Sequence, residues 1–168
     1  SVDKKSAILL AKILTKKILG DDAVLKTVIK FFENEGLEVI KIDDLLENLF
    51  VKEGSLSDST PNKEDIENIE IAKQAINKLS EFDIGQSIIV AQRQIIAIEA
   101  AEGTDKMISR ISDLKIEYKD NAILVKLAKN NQSSKADLPT IGENTIENCY
   151  KNGIKGIAIQ ANNTLIIN

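Results

Sequence analysis

Residues 98–110 (Ile98-Glu99-Ala100-Ala101-Glu102-Gly103-Thr104-Asp105-Lys106-Met107-Ile108-Ser109-Arg110) constrain the fold more than any other stretch. A β-rich run enters them and a helical pattern leaves them, as in a wound α/β unit. Three carboxylates and one glycine sit at the junction, more polar chemistry than packing requires. Gly103 allows close backbone approach or a positive φ. Thr104 can cap the helix that follows. The first amides of such a helix favour phosphates. Glu99, Glu102 and Asp105 would repel a bare phosphate, and a divalent cation between the two resolves the conflict.

Upstream, residues 2–19 read as a helix ended by Gly20, with apolar positions at Ile8, Leu9, Ile13, Leu14 and Ile18. A second helix, capped by Asp21 or Asp22, carries Val24, Leu25, Val28, Ile29 and Phe32, with Gly36 as its stop. Residues 37–42 read as a short strand, and a helix from Asp43 runs through Phe50. Residues 53–62 are loop-like and mark a domain boundary. Thr60-Pro61 reads as N-cap and first position of a long helix whose face is Ile66, Ile69, Ala72, Ile76 and Leu79. Two β-like runs, 87–91 and 94–98, form a hairpin around Gln92-Arg93, which are poor turn residues. A helix from Thr104 to about Leu114, a strand over 121–128 and a helix with Ile146, Cys149 and Tyr150 follow. A closing hairpin is expected from 156–160 and 164–167 over Ala161-Asn162-Asn163.

The expected fold is α/β. A C-terminal mixed sheet with flanking helices (83–168) follows a linker helix (59–82). Residues 1–58 are expected to be the helical tail of a wound α/β unit with a single strand. The apolar stripes of residues 1–52 lack partners in so small a domain, so a homodimer or a fold-back onto the C-terminal part is expected.

Composition narrows the chemistry. Hydrophobic content of 43% and charged content of 29% suit a chain with a core and a soluble surface. A net charge of −4 and 4% aromatics argue against nucleic-acid binding. The sequence has no histidine, which removes imidazole bases, Ser-His triads and His-based zinc sites. Cys149 is the only cysteine, so there is no intrachain disulfide, and a reducing compartment fits. No apolar run is as long as a membrane span, and no signal peptide is read at the start. Water would have to be activated by carboxylate and metal.

Four polar segments fall at strand ends or helix starts, where α/β sheets collect ligands. They are Asp83-Ile84-Gly85-Gln86, residues 99–105, Lys126 with the loop to Lys135, and Asp137-Leu138-Pro139-Thr140-Ile141-Gly142. They supply carboxylates (Glu99, Glu102, Asp105, Asp137), ammonium groups (Lys126, Lys129, Lys135) and amide or hydroxyl groups (Gln86, Thr104, Gln132, Thr140). Such a set suits metal-assisted chemistry on a phosphate or pyrophosphate. Spacing alone also allows plainer readings. Glu102 and Asp105 complement a helix dipole, Asp137 suits a turn, and the loop lysines suit solvent. Lys126 inside an apolar strand is harder to dismiss, because lysine is rarely buried without a partner. Cys149, Met107 and Ile108 read as core.

These segments, with Gly20-Asp21-Asp22-Ala23-Val24-Leu25 and Phe32-Glu33-Asn34-Glu35-Gly36, resemble a known family in its own order. It is the bacterial UDP-2,3-diacylglucosamine pyrophosphatases of lipid A synthesis, of the non-calcineurin-like type. The pairing of Glu102-Gly103-Thr104-Asp105 with Asp137-Leu138-Pro139-Thr140-Ile141-Gly142 is the specific signal. The resemblance implies magnesium-dependent hydrolysis of UDP-2,3-diacylglucosamine to UMP and 2,3-diacylglucosamine 1-phosphate (lipid X). It implies two α/β domains with the substrate between them, a homodimer, and a cytoplasmic protein with peripheral contact at the inner membrane. Asp137 falls on the family's essential aspartate. With it, Glu102 and Asp105 are the catalytic candidates, and Asp137 and Asp105 the candidate magnesium ligands. Gln86, Glu99, Gly103, Thr104, Lys126, Lys129, Gln132, Lys135 and Thr140 are the substrate-binding candidates.

Two departures stand out. Family members are longer at the N-terminus and begin with a Rossmann-like domain, so the resemblance implies that residues 1–58 are the helical tail of a truncated Rossmann-like domain and that the chain is a fragment, a divergent short form or one product of a split gene. The loop before Asp137 has Ser133 where the family has a carboxylate and Lys135 where it has an arginine. Lysine cannot reproduce a bidentate arginine at a phosphate, so the change bears on affinity and activity. A non-catalytic module binding a lipid phosphate or nucleotide is the alternative.

Overall fold

The computed structural model describes residues 4–16, 21–40, 50–128 and 138–167. The chain divides into two compact units, one of Ser1–Glu47 with Gln132–Leu138 and one of Asn48–Asn131 with Pro139–Asn168.

In the first unit, helices α1 (Lys4–Lys16) and α2 (Asp21–Asn34) pack on each other. Lys5 and Glu35 form an ion pair. The stop after α2 is a Schellman motif. Leu37 N donates to Phe32 O (3.1 Å) and Gly36 N to Glu33 O (3.1 Å), with Gly36 at φ 82°. That left-handed position is open to glycine at no steric cost. The strand expected over 37–42 is not found in its described part, since residues 37–40 are unpaired coil. Residues 41 and 42, and the helix expected over 43–49, lie outside the described residues.

The second unit is a mixed α/β sandwich. Strands β1 (Ser87–Ala91), β2 (Gln94–Ile98), β3 (Ile123–Lys126) and β5 (Gly156–Ile159) form a sheet in the order β2-β1-β3-β5. The pairings β2–β1 and β1–β3 are antiparallel, and β3–β5 is parallel. Strands β4 (Thr140–Gly142) and β6 (Leu165–Ile167) form a separate parallel pair.

Period-two alternation divides the sheet's two faces. Ile88, Val90, Ile123 and Val125 pack against Ala72 and Ile76 of helix α3 (Lys63–Leu79). Ile89, Ala91 and Leu124 pack against Met107 and Ile108 of α4 (Thr104–Arg110) and Cys149 of α6 (Glu143–Lys151). A short helix, α5 (Ile116–Lys119), lies between α4 and β3 in the chain. Central strands covered on both faces read as unbroken apolar runs, which explains Ile88-Ile89-Val90-Ala91 and Ile123-Leu124-Val125. Among the described residues, no helix is long and apolar enough to cross a membrane.

Several local expectations need correction. Helix α3 is capped by Asn62, not Thr60: Asp65 N donates to Asn62 Oδ1 (3.0 Å) and Asn62 N to Asp65 Oδ2 (2.8 Å), a reciprocal capping box. Ile66, placed on the inner face by the sequence pattern, is 56% exposed. The buried face of this helix (Asn68, Ala72 and Ile76) makes it one layer of the unit. The helix from Thr104 ends at Arg110 and continues as a 3-10 turn over Ile111–Asp113. Residues 156–160 and 164–167 make no closing hairpin. Asn162 does take the left-handed conformation (φ 59°), but β5 joins β3 while β6 joins β4. The turn is held instead by the chain near Phe50, with Asn162 N donating to Val51 O (2.8 Å) and Val51 N to Thr164 O (3.2 Å). Phe50, expected in a helix, forms an antiparallel bridge with Leu165.

Candidate functional site

Antiparallel pairing brings the start of β1, the end of β2 and the end of β3 to one edge of the sheet. Parallel pairing adds the end of β5. Ser87 and Lys126 are direct partners across the β1–β3 ladder there. Alternation puts Ser87 on the face of Ile89, and Lys126 on the face of Leu124, so both belong to the face that carries α4. Lys126 is 7% exposed and Ser87 1%. A polar pair thus ends a ladder that is otherwise apolar.

Thr104 opens α4 directly over this pair. It is the first helical residue, not the cap. Gly103 holds the N-cap position at φ 82° with no side-chain capping bond. The Thr104 hydroxyl turns to the sheet edge, where it donates to Glu99 Oε1 (2.9 Å) and accepts from Lys126 Nζ (3.1 Å). Ser87 Oγ lies 3.2 Å from the same oxygen. A hydroxyl has one proton and an ammonium can only donate. With the Thr104 proton on Glu99, Ser87 must be the donor to Thr104. Glu99, 8% exposed, takes a further bond at its other oxygen from Gln86 N (3.2 Å). Its own amide donates to Ser87 O (2.9 Å).

Four of the expected residues, Gln86, Glu99, Thr104 and Lys126, therefore meet in one network. Ser87 completes it and was missed, although a serine opening an apolar strand opposite a lysine is a readable signal. Leu127 N donates to Gln86 O (3.0 Å) and Ala128 N to Gln160 Oε1 (3.1 Å), which ties the same edge to the end of β5.

The other acidic candidates lie beside this network with partners of their own. Glu102 pairs with Arg110 (3.2 Å), whose guanidinium also donates to Ile98 O (2.7 Å), so one arginine closes the turn from β2 into α4. Asp105 is exposed, and its Oδ1 accepts from Thr145 Oγ1 (3.2 Å) in the first turn of α6. Thr140 stands in β4, in register with Leu165. Lys129, Gln132, Lys135 and Asp137 lie outside the described residues. Cys149 is core, as expected. Burial pushes its thiol up to about 12, and the Asp105 charge adds to the shift.

Carboxylate oxygens are the donors magnesium prefers. Among the described residues, no three His, Cys, Asp or Glu side chains converge to hold a metal. Both oxygens of Glu99 already take donors from the chain. Of the two candidate magnesium ligands, only Asp105 is described.

Comparison with known proteins agrees with the resemblance. Residues 1–49 match the LpxI N-terminal domain model and residues 52–168 the LpxI C-terminal domain model. The UDP-2,3-diacylglucosamine pyrophosphatase LpxI of Caulobacter vibrioides is 33% identical over 153 residues, covering 88% of this chain and 55% of the relative. The chain thus spans about half the length of that curated relative. With both domain models matched in order and 33% identity over 88% of its length, this chain belongs to the LpxI family.

Proposed function

We propose that the chain acts on UDP-2,3-diacylglucosamine, hydrolysing its pyrophosphate to UMP and 2,3-diacylglucosamine 1-phosphate in lipid A synthesis. The observation that supports this most is the Lys126 ammonium, buried at a sheet edge and tied to Thr104. Gln86, Ser87 and Glu99 join the same network, so residues of three polar segments meet at the ends of the strands, where α/β sheets collect ligands. The name of the Caulobacter relative supplies the substrate.

In the reaction, a water oxygen attacks one phosphorus, the P–O bond to the bridging oxygen breaks and one proton is released. Without histidine, that proton goes to a carboxylate, with Asp137 as the first choice and Glu102 and Asp105 after it. Lys126, Lys129 and Lys135 offset charge on the phosphates. Gln86, Glu99, Gly103, Thr104, Gln132 and Thr140 complete the binding set. Magnesium, with Asp137 and Asp105 as its ligands, would supply charge neutralisation and a more acidic water. The acyl chains of such a substrate favour a cytoplasmic enzyme working at the inner-membrane surface. Exposed Ile8 and Leu14 in α1 (55% and 67%) support a homodimer, which sedimentation tests.

The experiment is release of UMP from UDP-2,3-diacylglucosamine by residues 1–168, in magnesium and in chelator. Release that needs magnesium is expected. A second reading, a binding module without turnover, is favoured by Ser133 and Lys135 in the loop before Asp137, where the family has a carboxylate and an arginine. It predicts calorimetric binding of the same compound with no UMP at any magnesium concentration.

A further inference from the structure

The sheet edge that carries the candidate site has two unlike faces. On the α4 face it presents Ser87, Thr104 and Glu99, joined through the Thr104 hydroxyl. One position along each strand the side chains alternate to the α3 face, where Ile88, Ile98 and Leu127 join the apolar cluster. The turn from α3 into β1 starts on that second face. It adds Phe82, 73% exposed, and Ile84, 38% exposed. We propose that Phe82 and Ile84 form an apolar lip that takes an acyl chain of the ligand, beside the polar face that takes its phosphates. The acyl chain as occupant rests on the function proposed above.

Three observations carry the lip. First, the turn is built, not loose. After the 3-10 turn Ser80–Phe82, Asp83 N donates to Ser80 O (3.2 Å) and Ile84 N to Leu79 O (3.3 Å), with Asp83 left-handed at φ 56°. That is the Schellman pattern, which fixes the chain as it leaves a helix. Second, the turn is joined to the site. Gln86 N donates to Glu99 Oε2 (3.2 Å), and Leu127 N to Gln86 O (3.0 Å), so lip and carboxylate share one frame. Third, the ligand has the same division. In 2,3-diacylglucosamine 1-phosphate one acyl chain leaves the sugar from the carbon beside the one that bears the phosphate. A site for such a compound needs apolar surface next to its polar groups, and burying that surface is what holds the chain. A bilayer surface suits the turn less well. Phe82 stands between Glu81 and Asp83, and residues 80–86 contain no lysine or arginine, the side chains that anionic headgroups attract.

The test compares Phe82→Ser and Ile84→Ser with the conservative Phe82→Leu in residues 1–168. Tyr150→Ser is the control, since Tyr150 is 85% exposed on α6, away from this turn. Urea midpoints check the fold of each variant. One readout is the calorimetric Kd of 2,3-diacylglucosamine 1-phosphate, with long acyl chains and with acetyl groups in their place. The other is the KM and kcat of UMP release from the long-chain UDP compound. Each serine variant is expected to weaken long-chain binding and raise KM by about tenfold, with kcat and the acetyl compound's Kd unchanged. Phe82→Leu recovers most of the loss, and Tyr150→Ser shows none. A long-chain Kd equal in wild type and Phe82→Ser overturns the lip, even where UMP is released. So does an equal loss for the long-chain and acetyl compounds. An unchanged Kd with lost sedimentation on phosphatidylethanolamine–phosphatidylglycerol vesicles replaces the lip with a bilayer contact, and with a lost dimer in sedimentation velocity replaces it with a second copy. Long-chain binding that follows Phe82, in a wild-type chain that releases no UMP, supports the lip and removes the pyrophosphatase reading.

Discussion

A methyl group placed on Gly85 would stand 2.1 Å from the backbone oxygen of Glu99. The two backbones touch because Gly85, at φ 47°, turns the chain so that Gln86 N can reach the Glu99 carboxylate. Both the left-handed conformation and the missing side chain are required. Gly85→Ala is expected to lose roughly 3 kcal/mol of stability, from left-handed strain and overpacking combined. Urea denaturation reads it. A midpoint equal to wild type would mean that this turn relaxes freely.

The hairpin turn between β1 and β2 depends on a helix residue. Gln92 and Arg93 both have positive φ (50° and 61°), as a type I′ turn demands, although neither favours it. Asn68 of α3, fully buried, accepts from Arg93 N (2.8 Å), and Arg93 also pairs with Glu67. Asn68→Ala should cost roughly 2 kcal/mol through the lost acceptor and the space left behind. Hydrogen exchange at the Arg93 amide should quicken. Unchanged exchange there would show that strand pairing alone holds the turn.

Cys149 sets a limit at high pH. Its thiol is raised from 9.0 to about 12 in the folded chain. The unfolded thiol loses its proton near its ordinary value while the folded one keeps it, so unfolding is favoured increasingly as pH rises from about 9 to 12. Stability from this group is therefore present below pH 9 and declines above it. Cys149→Ala should flatten that decline in melting curves taken across the window. Thiol-specific reagents at pH 8 should label wild type only as it unfolds, and prompt labelling of the native chain would contradict the burial.

Much of the second unit was legible because its signals were local. Unbroken apolar runs marked β1 and β3, and the change of period at residue 83 marked the onset of the sheet. Lys126 announced itself as a charge in an apolar run. Partnerships were hidden where tertiary pairing decides them. Residues 156–167 look like a hairpin, but each strand finds a parallel partner elsewhere. Pro139-Thr140-Ile141-Gly142 reads as a helix approach, yet three of its residues form β4 beside β6. Thr104 has the chemistry of a cap, but its hydroxyl goes to Glu99 and leaves the cap position to Gly103. Side chains that act on a distant element, such as Thr145 on Asp105 and Arg110 on Glu102, carry no mark in the linear sequence.

The most direct measurement is UMP release from UDP-2,3-diacylglucosamine in magnesium by wild-type residues 1–168 and by Asp137→Ala. If the motif residues form a hydrolytic site, the wild type releases UMP and the variant is slower by about a hundredfold or more, the scale expected when a catalytic acid–base group is removed. Equal rates in the two proteins would contradict the account.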